Sequence, residues 1–227
     1  MLQPHQKARI ELIKSILSYF GDKFVLKGGT ALSLYYDLDR YSEDLDFDCK
    51  SNNMNFINRL KTHKDFKSWN LHIKKDTDTT FRAMLDYGAL SSLGQYPLKI
   101  EVSTRNKTLL QQGSLKYKNI KGVNVYDINE LILMKVSAFS GRDKIRDFYD
   151  LGFLLEKYPK SFSNESLKTI HQKISYAGDN ELNLLLKDEI DKHNLIPIGN
   201  MRDDLNNYSQ KMLKGIETLL NSNEIAN

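Results

Sequence analysis

Apolar residues recur along this chain at two different spacings, and the spacing changes near residue 127. In the first part, apolar and polar residues alternate over short runs such as Leu98–Ser103, which is typical of half-buried strands. In the second part, apolar residues recur every three or four positions, as on helices that bury one face. The pattern therefore predicts a mixed α/β protein, with a core sheet and flanking helices over residues 1–126 and a helical lobe over 127–227.

The predicted elements follow these two spacings and the glycines and prolines that interrupt them. Helices are predicted at 6–20, 31–36, 54–63, 128–140, 143–157, 164–175, 180–192 and 202–220. Strands are predicted at 24–26, 44–48, 70–75, 80–87, 97–103 and 122–126.

Composition and charge narrow the class of protein without identifying a function. The 227 residues carry a formal net charge of +4 and one cysteine, Cys49, so an internal disulfide is excluded and a reducing, cytoplasmic setting is expected. The sequence has no run of about 18 apolar residues and no signal-peptide core, so no membrane association is expected. Lysines lie between aromatic residues at 61–75 and 115–121, which fits either an RNA-binding surface or ordinary lysine-rich solubility.

A glycine pair, Gly28–Gly29, follows the first apolar run and precedes a helical segment. Glycines there let the backbone turn sharply and approach a ligand, and Thr30 is expected to start the helix. The free N–H groups at the start of that helix favour an anion such as a phosphate. The segment lacks the third glycine of a dinucleotide fingerprint and the Gly-Lys-Ser/Thr of a Walker loop, and a lone glycine pair is also a common turn.

Two carboxylates, Asp44 and Asp46, lie at i and i+2 in the next predicted strand, so they share one face while Leu45 and Phe47 point to the core. Hard oxygen ligands of this kind suit Mg²⁺. Glu101 would face the same cleft if its strand lies beside this one. A solvated strand end for the aspartates, and an exposed sheet edge for Glu101, are the alternatives that spacing alone leaves open.

Further along the chain, Lys135 lies on an otherwise weakly charged helix that Gly141 ends. A dense run of charges follows at 142–150. On a helix, Asp143 and Asp147 would share a face, and by itself such a run is interpreted as a solvated, salt-bridged surface.

These elements together resemble the AbiEii-type nucleotidyltransferase toxins, a family with a polymerase-β-like fold that forms the toxin half of bacterial toxin–antitoxin and abortive-infection systems. The resemblance spans roughly residues 10–155 and rests on four motifs: Lys27-Gly28-Gly29-Thr30-Ala31-Leu32, Arg40-Tyr41-Ser42-Glu43-Asp44-Leu45-Asp46-Phe47, Lys135, and Arg146-Asp147-Phe148-Tyr149-Asp150-Leu151. The spacing from Lys135 to Asp147 is short for the family, and residues 156–227 carry no motif to which a role can be assigned.

The resemblance implies roles for individual residues. Nucleotide binding falls to the first motif and to one residue of the second, namely Lys27, Gly28, Gly29, Thr30 and Ser42. Metal binding falls to Asp44 and Asp46, with Glu101 as a third carboxylate of the wider superfamily, and catalysis to Asp44, Asp46, Lys135 and Asp147. Because these positions are assigned to charge handling, alanine substitutions at Asp44, Asp46 and Lys135 are expected to leave the protein folded.

The expected activity is transfer of a nucleoside monophosphate from a nucleoside triphosphate, with two Mg²⁺ ions, to the 3′ end of a tRNA, under restraint by a separate antitoxin. Residues 127–227 are expected to contribute Lys135 and Asp147 to the catalytic cleft. Two alternatives stay open at this stage: an enzyme that places the nucleotide on a protein hydroxyl, and a non-catalytic nucleotide-binding module of the same fold.

Overall fold

The computed structural model describes residues 2–52, 54–88, 91, 95–193 and 205–225. The strands are β1 Phe24–Lys27, β2 Asp44–Cys49, β3 Asn70–Thr77, β4 Thr80–Asp86, β5 Leu98–Ser103, β6 Tyr117–Ile120 and β7 Val123–Tyr126. The helices are α1 Pro4–Leu17, α2 Gly28–Tyr35, α3 Phe56–Leu60, α4 Lys107–Gln111, α5 Ile128–Gly141, α6 Ile145–Lys157, α7 Asn164–Ala177, α8 Asp179–His193 and α9 Tyr208–Ile225. The mixed α/β class predicted from the sequence is confirmed.

The chain divides into two compact units. The sheet unit comprises Leu2–Asp37 and Tyr41–Asp127. The helical unit comprises Leu38–Arg40 and the described residues from Ile128 onward. The short segment Leu38–Arg40 therefore belongs to the helical unit, although in sequence it lies between α2 and β2.

All seven strands form one sheet in the order β3-β4-β5-β2-β1-β7-β6. The β2–β5 and β1–β7 pairs are parallel, and the other neighbours are antiparallel. Strand β2 thus lies near the centre of the sheet, beside β5. Glu101 could face the same cleft as Asp46 only if these two strands were neighbours, and they are. The sheet places the polar faces of these two strands together.

The buried side of the sheet unit is built from aromatic and aliphatic residues. Phe20, Phe24, Phe47 and Phe56 pack as one cluster with ring centroids 4.5–6.4 Å apart. Leu45 and Phe47 are buried, as the alternation of β2 predicts. Because the apolar side of β2 is fixed in this core, its aspartates at 44 and 46 must lie on the opposite face.

In the helical unit, α6 buries Phe148, Leu151 and Leu154 and is closely approached by α9. The Tyr208 hydroxyl donates a hydrogen bond of 2.8 Å to the Tyr149 carbonyl oxygen, and the two rings stack. A Cβ atom on Gly152 would lie 2.1 Å from that hydroxyl oxygen. A glycine is therefore needed at this contact between α6 and α9.

Several predicted limits differ from the structure. Helix α2 begins at Gly28, with Lys27 at its N-cap, so the prediction that Thr30 starts the helix is wrong. Helix α6 begins at Ile145, so the run 142–144 precedes it. Strand β6 and helix α4 were not predicted. Residues 202–204 of the last predicted helix lie outside the described residues, and α9 itself begins at Tyr208.

Among the described residues, every helix is too short or too polar to cross a membrane.

Candidate functional site

The turn between β1 and α2 brings backbone close to a carboxylate. Gly28 has a φ of +75°, and a Cβ atom there would lie 3.2 Å from Oδ2 of Asp46. A left-handed backbone and a crowded carboxylate both favour glycine at this position. No side chain caps the first turn of α2, so its N–H groups are not satisfied by a cap at the end of the helix that attracts anions.

Thr30 lies inside α2 and ties that helix to the segment that leads into β2. Its hydroxyl is within hydrogen-bond distance of the Asp44 carbonyl oxygen, and it lies 3.0 Å from the Ser42 hydroxyl. Thr30 is buried, whereas Ser42 is partly exposed. The two hydroxyls predicted to bind nucleotide are therefore together, and they hold the helix against the carboxylate strand.

The polar faces of β2 and β5 form a small group of carboxylates. Asp46 is the Cα partner of Glu101 across the parallel pair, and Asp44 shares the face of Asp46. Lys99 Nζ donates to Asp44 Oδ2 at 2.9 Å, and Arg82 Nε donates to Glu101 Oε2 at 2.7 Å. Two of the three predicted metal ligands are thus paired with a cation from a neighbouring strand position.

Asp46 differs from the other two carboxylates. Within the described residues its carboxylate has no hydrogen-bond or ion-pair partner. Burial raises the pKa of Asp46, and the negative charges of Asp44 and Glu101 raise it further. The positive charges of Lys99 and Lys27 act in the opposite direction but do not reverse the shift. An added cation would therefore stabilise the ionised form of this group.

The donor set fits a hard divalent cation in its chemistry. Asp44, Asp46 and Glu101 offer only oxygen ligands, and Mg²⁺ is held by one or two protein carboxylates together with substrate phosphates. In the described residues no group of three or more His, Cys, Asp or Glu side chains is already arranged around a metal position. Two of the carboxylates, Asp44 and Glu101, are held instead on protein cations by Lys99 and Arg82.

Asp48 shares the alternation of β2, but it is fully buried and satisfied. Lys27 Nζ lies 2.5 Å from its Oδ1 atom, and its Oδ2 atom accepts hydrogen bonds of 2.8 Å from both Asn106 and Tyr126. Lys27, a predicted nucleotide contact, is thus paired with a structural carboxylate. Its side chain keeps about a quarter of its surface exposed beside the Gly28 turn.

The helical unit contains a second charged cluster. Lys135 Nζ, on α5, lies 2.8 Å from Asp147 Oδ1 and 2.5 Å from Asp150 Oδ2, both on α6. Arg40 binds both oxygens of Asp150 at 2.5 and 2.7 Å, and Arg142 binds Asp147 at 2.8 and 3.2 Å. Three cations therefore surround two carboxylates, which we call the ion cluster.

Most of the ion cluster is buried, which corrects the interpretation of the run 142–150 as a solvated face at Asp147 and Asp150, whereas the Arg142 side chain stays half exposed. Asp147 is 2% exposed, Asp150 is fully buried and Lys135 is 7% exposed. Burial alone would raise the pKa of both carboxyls, but Lys135 with Arg142 at Asp147, and Arg40 with Lys135 at Asp150, lowers each of them. These carboxylates are ionised and neutralised within the protein.

Sequence reasoning missed five of the charged residues that define the two clusters. Arg40 and Asp150 lie within the motif stretches but carry no role in the resemblance, and Arg82, Lys99 and Arg142 lie outside it. The strand alternation of 97–103 places Lys99 on the face of Glu101, so that signal was available. Nothing in the spacing of Arg40 and Asp150 links positions 110 residues apart in sequence.

Solved structures of known proteins share this fold. JHP933 from Helicobacter pylori is 29% identical, with a TM-score of 0.73 over 100% of this chain and 99% of that one. An H. pylori protein assigned as a nucleotidyltransferase is 28% identical, with a TM-score of 0.81 over 100% and 99%. MenT4, a nucleotidyltransferase toxin from Mycobacterium tuberculosis, shares the fold at 12% identity and a TM-score of 0.52 over 95% and 86%. No curated protein matches the chain.

The fold is that of a nucleotidyltransferase. The family model for the nucleotidyl transferase AbiEii toxin of type IV toxin–antitoxin systems matches residues 12–222. The chain therefore belongs to the AbiEii nucleotidyltransferase toxin family, and the resemblance found in its sequence is confirmed.

Proposed function

We propose that this toxin transfers a nucleoside monophosphate from a nucleoside triphosphate to the 3′ hydroxyl of an RNA, the 3′ end of a tRNA, in a Mg²⁺-dependent reaction in the cytoplasm. The observation that carries the proposal is the environment of the Asp46 carboxylate. Its carboxylate lacks a partner among the described residues, its pKa is raised, and it lies beside both Glu101 and the Gly28 turn.

The sheet unit supplies the groups that such a transfer needs. The backbone N–H groups of Gly28 and Gly29 would bind the triphosphate, and Lys27 would add positive charge next to them. Asp44, Asp46 and Glu101 would hold Mg²⁺. When bound, the metal supplies charge neutralisation on the phosphates and a lowered pKa of the attacking hydroxyl. Thr30 and Ser42 would keep the turn at a fixed distance from β2.

The reaction balances without a further co-reactant. The acceptor hydroxyl oxygen forms a bond to the α-phosphorus, the bond from that phosphorus to the bridging β-phosphate oxygen breaks, and pyrophosphate leaves. The hydroxyl proton passes to solvent. The protein therefore has to position two substrates and neutralise charge rather than form a covalent intermediate.

The helical unit enters the proposal through Lys135 and Asp147. We propose that Lys135 neutralises charge on the leaving pyrophosphate and that Asp147 orients the lysine. The 2.8 Å contact between their charged atoms supports the second part. The roles of residues 1–126 as the catalytic core and of 127–227 as a contributing lobe stay predictions.

The family further leads us to propose a cognate antitoxin that restrains the activity. The overexpressed wild-type protein should then stop growth on its own, and the Asp46→Asn protein should not. A harmless wild-type protein would contradict the toxin proposal for this chain.

Labelling identifies the acceptor directly. The protein is incubated with each radiolabelled nucleoside triphosphate, Mg²⁺ and total cellular RNA, and the labelled species are separated. We expect label on tRNA, none after periodate oxidation of the RNA 3′ ends, and none with Asp46→Asn. Label that persists on oxidised RNA contradicts transfer to the 3′ hydroxyl, and label on protein alone replaces the proposal with protein nucleotidylation.

Calorimetry tests whether nucleotide binding depends on Mg²⁺. Calorimetric titration of nucleoside triphosphate into the protein should show much tighter binding with Mg²⁺ than without it, because the carboxylates repel an unneutralised triphosphate. Equal affinity in the two conditions would contradict a metal role for Asp44 and Asp46.

A further inference from the structure

A row of charged residues crosses the sheet in register with Asp46 and Glu101. In Cα register, Asp46 of β2 pairs with Glu101 of β5, Glu101 pairs with Arg82 of β4, and Arg82 pairs with Lys75 of β3. Directly paired residues on neighbouring strands share one face of a sheet. Two cations therefore extend from the carboxylates toward the β3 edge, and we call Lys75 and Arg82 the cationic track.

A β-bulge determines which lysine of β3 joins this track and on which face Asp76 lies. The register of β3 against β4 shifts between Ile73 and Lys75, so Lys74 is passed over. Without the bulge, Asp76 would pair with Thr80, which lies on the face of Arg82 and Glu101. With it, Thr77 pairs with Thr80 and Asp76 pairs with Phe81 on the other face. Bulges commonly re-aim side chains at sheet edges and near active sites, and this one keeps a carboxylate out of the row.

Arg82 has donors left over after its contact with Glu101. Its Nε atom donates to Glu101, and within the described residues no other partner is recorded for its guanidinium. The side chain is 42% exposed, and the terminal nitrogens carry four more N–H groups. A planar guanidinium can bind a carboxylate on one edge and a phosphate on another. Arg82 can therefore join an incoming anion to the third carboxylate of the site.

We propose that the cationic track binds the phosphodiester backbone of the acceptor RNA and leads its 3′ end to Asp46 and Glu101. The inference rests on the proposed function, since it names the surface by which the acceptor reaches that same site. Lys75 and Arg82 are positioning residues in it. The Gly28 turn, on the opposite side of β2, remains for the triphosphate.

The chemistry of the track favours an RNA backbone over a protein acceptor. Protein interfaces depend on aromatic or aliphatic anchors in desolvated pockets. The accessible residues paired along this part of the face are instead Lys75, Arg82 and Thr77, which offer charge and a hydroxyl group, whereas Thr80 is buried. Successive phosphates of a single strand need only such groups, and the contacts carry no sequence information.

The salt dependence of RNA binding tests the proposal. The probe is a short fluorescein-labelled single-stranded RNA, and its anisotropy gives Kd over a series of KCl concentrations without nucleotide or Mg²⁺. Loss of one phosphate contact lowers the slope of log Kd against log[KCl] by about 0.7. We expect that decrease for Lys75→Ala and for Arg82→Ala, and recovery of the slope in Arg82→Lys.

Lys64→Ala is the matched control, because Lys64 is exposed, lies in the same unit and carries the same charge outside the strands. Its slope should equal that of the wild type. Lys75→Ala also guards against an indirect effect, since it leaves the Arg82–Glu101 pair in place. Equal slopes for wild type, Lys75→Ala and Arg82→Ala overturn the proposal, as does an equal loss with Lys64→Ala.

Two further outcomes separate this proposal from the proposed function. If label never reaches RNA but the slopes change as expected, the track stands and transfer to RNA fails. If label reaches RNA and the slopes stay unchanged, transfer stands and the track is overturned. Binding of a fluorescent glutamate-rich peptide with the same loss of slope would also overturn it, because the track would then select protein anions.

Discussion

Asp46 of the sheet unit and the buried carboxylates of the helical unit stand in opposite electrostatic situations. Asp46 has two carboxylate neighbours, no partner among the described residues and a raised pKa. Asp150 is held by Arg40 and Lys135, and its pKa is lowered despite complete burial. An anionic group that the protein does not neutralise is available for a cation from outside, whereas a neutralised one contributes to the folded structure.

The comparison distinguishes a charged residue that we propose acts in catalysis from charged residues that stabilise the fold. Removal of Asp46 should affect activity and leave the fold intact, and removal of Lys135 should affect the fold before any effect on chemistry can be seen. A loss of activity alone cannot distinguish the two cases. Each variant therefore needs a stability measurement beside the activity measurement.

The largest expected effect is that of Asp46→Asn on activity. The substitution keeps the size of the side chain but removes the charge, so transfer of label should fall by about a thousandfold, as when one main electrostatic group of an active site is lost. Its urea unfolding midpoint should not fall, because the carboxylate is repelled by Asp44 and Glu101. A clearly destabilised variant would show that Asp46 is structural and break the comparison.

Lys135→Ala should lower the free energy of unfolding by about 3–5 kcal/mol, because it leaves two buried carboxylates without their shared cation. This replaces the expectation from sequence that the fold would be unaffected. Urea denaturation measures it. Lys14→Ala is the control, since Lys14 pairs with Glu11 on the exposed surface of α1 and should change stability little. Similar effects of the two substitutions would contradict a stabilising ion cluster.

Gly28→Ala should lower the free energy of unfolding by about 1–2 kcal/mol, the typical cost of a left-handed backbone for a residue with a Cβ atom. Gly113→Ala is matched to it, because Gly113 has a φ of +69° with nothing within 4 Å of its Cβ position. Both variants should lose stability, but only Gly28→Ala should lose Mg²⁺-dependent nucleotide binding in calorimetry. Equal binding losses would indicate an unspecific effect of backbone strain.

The smallest expected effect concerns the pH dependence of stability, which should have opposite signs for Asp46 and for Asp150. Asp46 has a folded pKa above its unfolded value of about 3.9, so wild type should lose stability relative to Asp46→Asn as pH rises from about 4 through the folded pKa. Asp150 has a lowered folded pKa, so its contribution is fully present above about pH 4 and is lost as pH falls from there through the folded pKa. Urea midpoints measured against pH should give differences of opposite slope.

The elements with clear periodicity were predictable from the sequence. The alternation of apolar and acidic residues fixed the faces of β2, and that of residues 98–103 fixed the faces of β5, because a two-residue period leaves one arrangement that buries the leucines and phenylalanine. Strand β6 escaped prediction since Tyr117–Ile120 is a short edge strand with exposed positions and no apolar alternation.

The charged clusters were harder to predict for a physical reason. Local charge density at 142–150 is the same for a solvated helix face and for a buried cluster, and only distant partners decide between them. Arg40 comes from another part of the sequence, and it turns Asp150 from a costly buried charge into a satisfied one. Likewise, the pairing of Lys75 with Arg82 depends on a bulge that spacing alone does not reveal.

Segment Leu38–Arg40 has a consequence for how the gene can be divided. The Arg40 guanidinium binds Asp150, and Asp39 accepts a 2.8 Å hydrogen bond from the Tyr149 hydroxyl, so three residues encoded between α2 and β2 complete a unit encoded almost ninety residues later. A cut after residue 126 separates Arg40 from the helical unit. In the second fragment, Asp150 is then held by Lys135 alone. The toxin is thus a discontinuous assembly that neither half of its reading frame encodes, and inactive split halves are a natural starting point for controlled reconstitution.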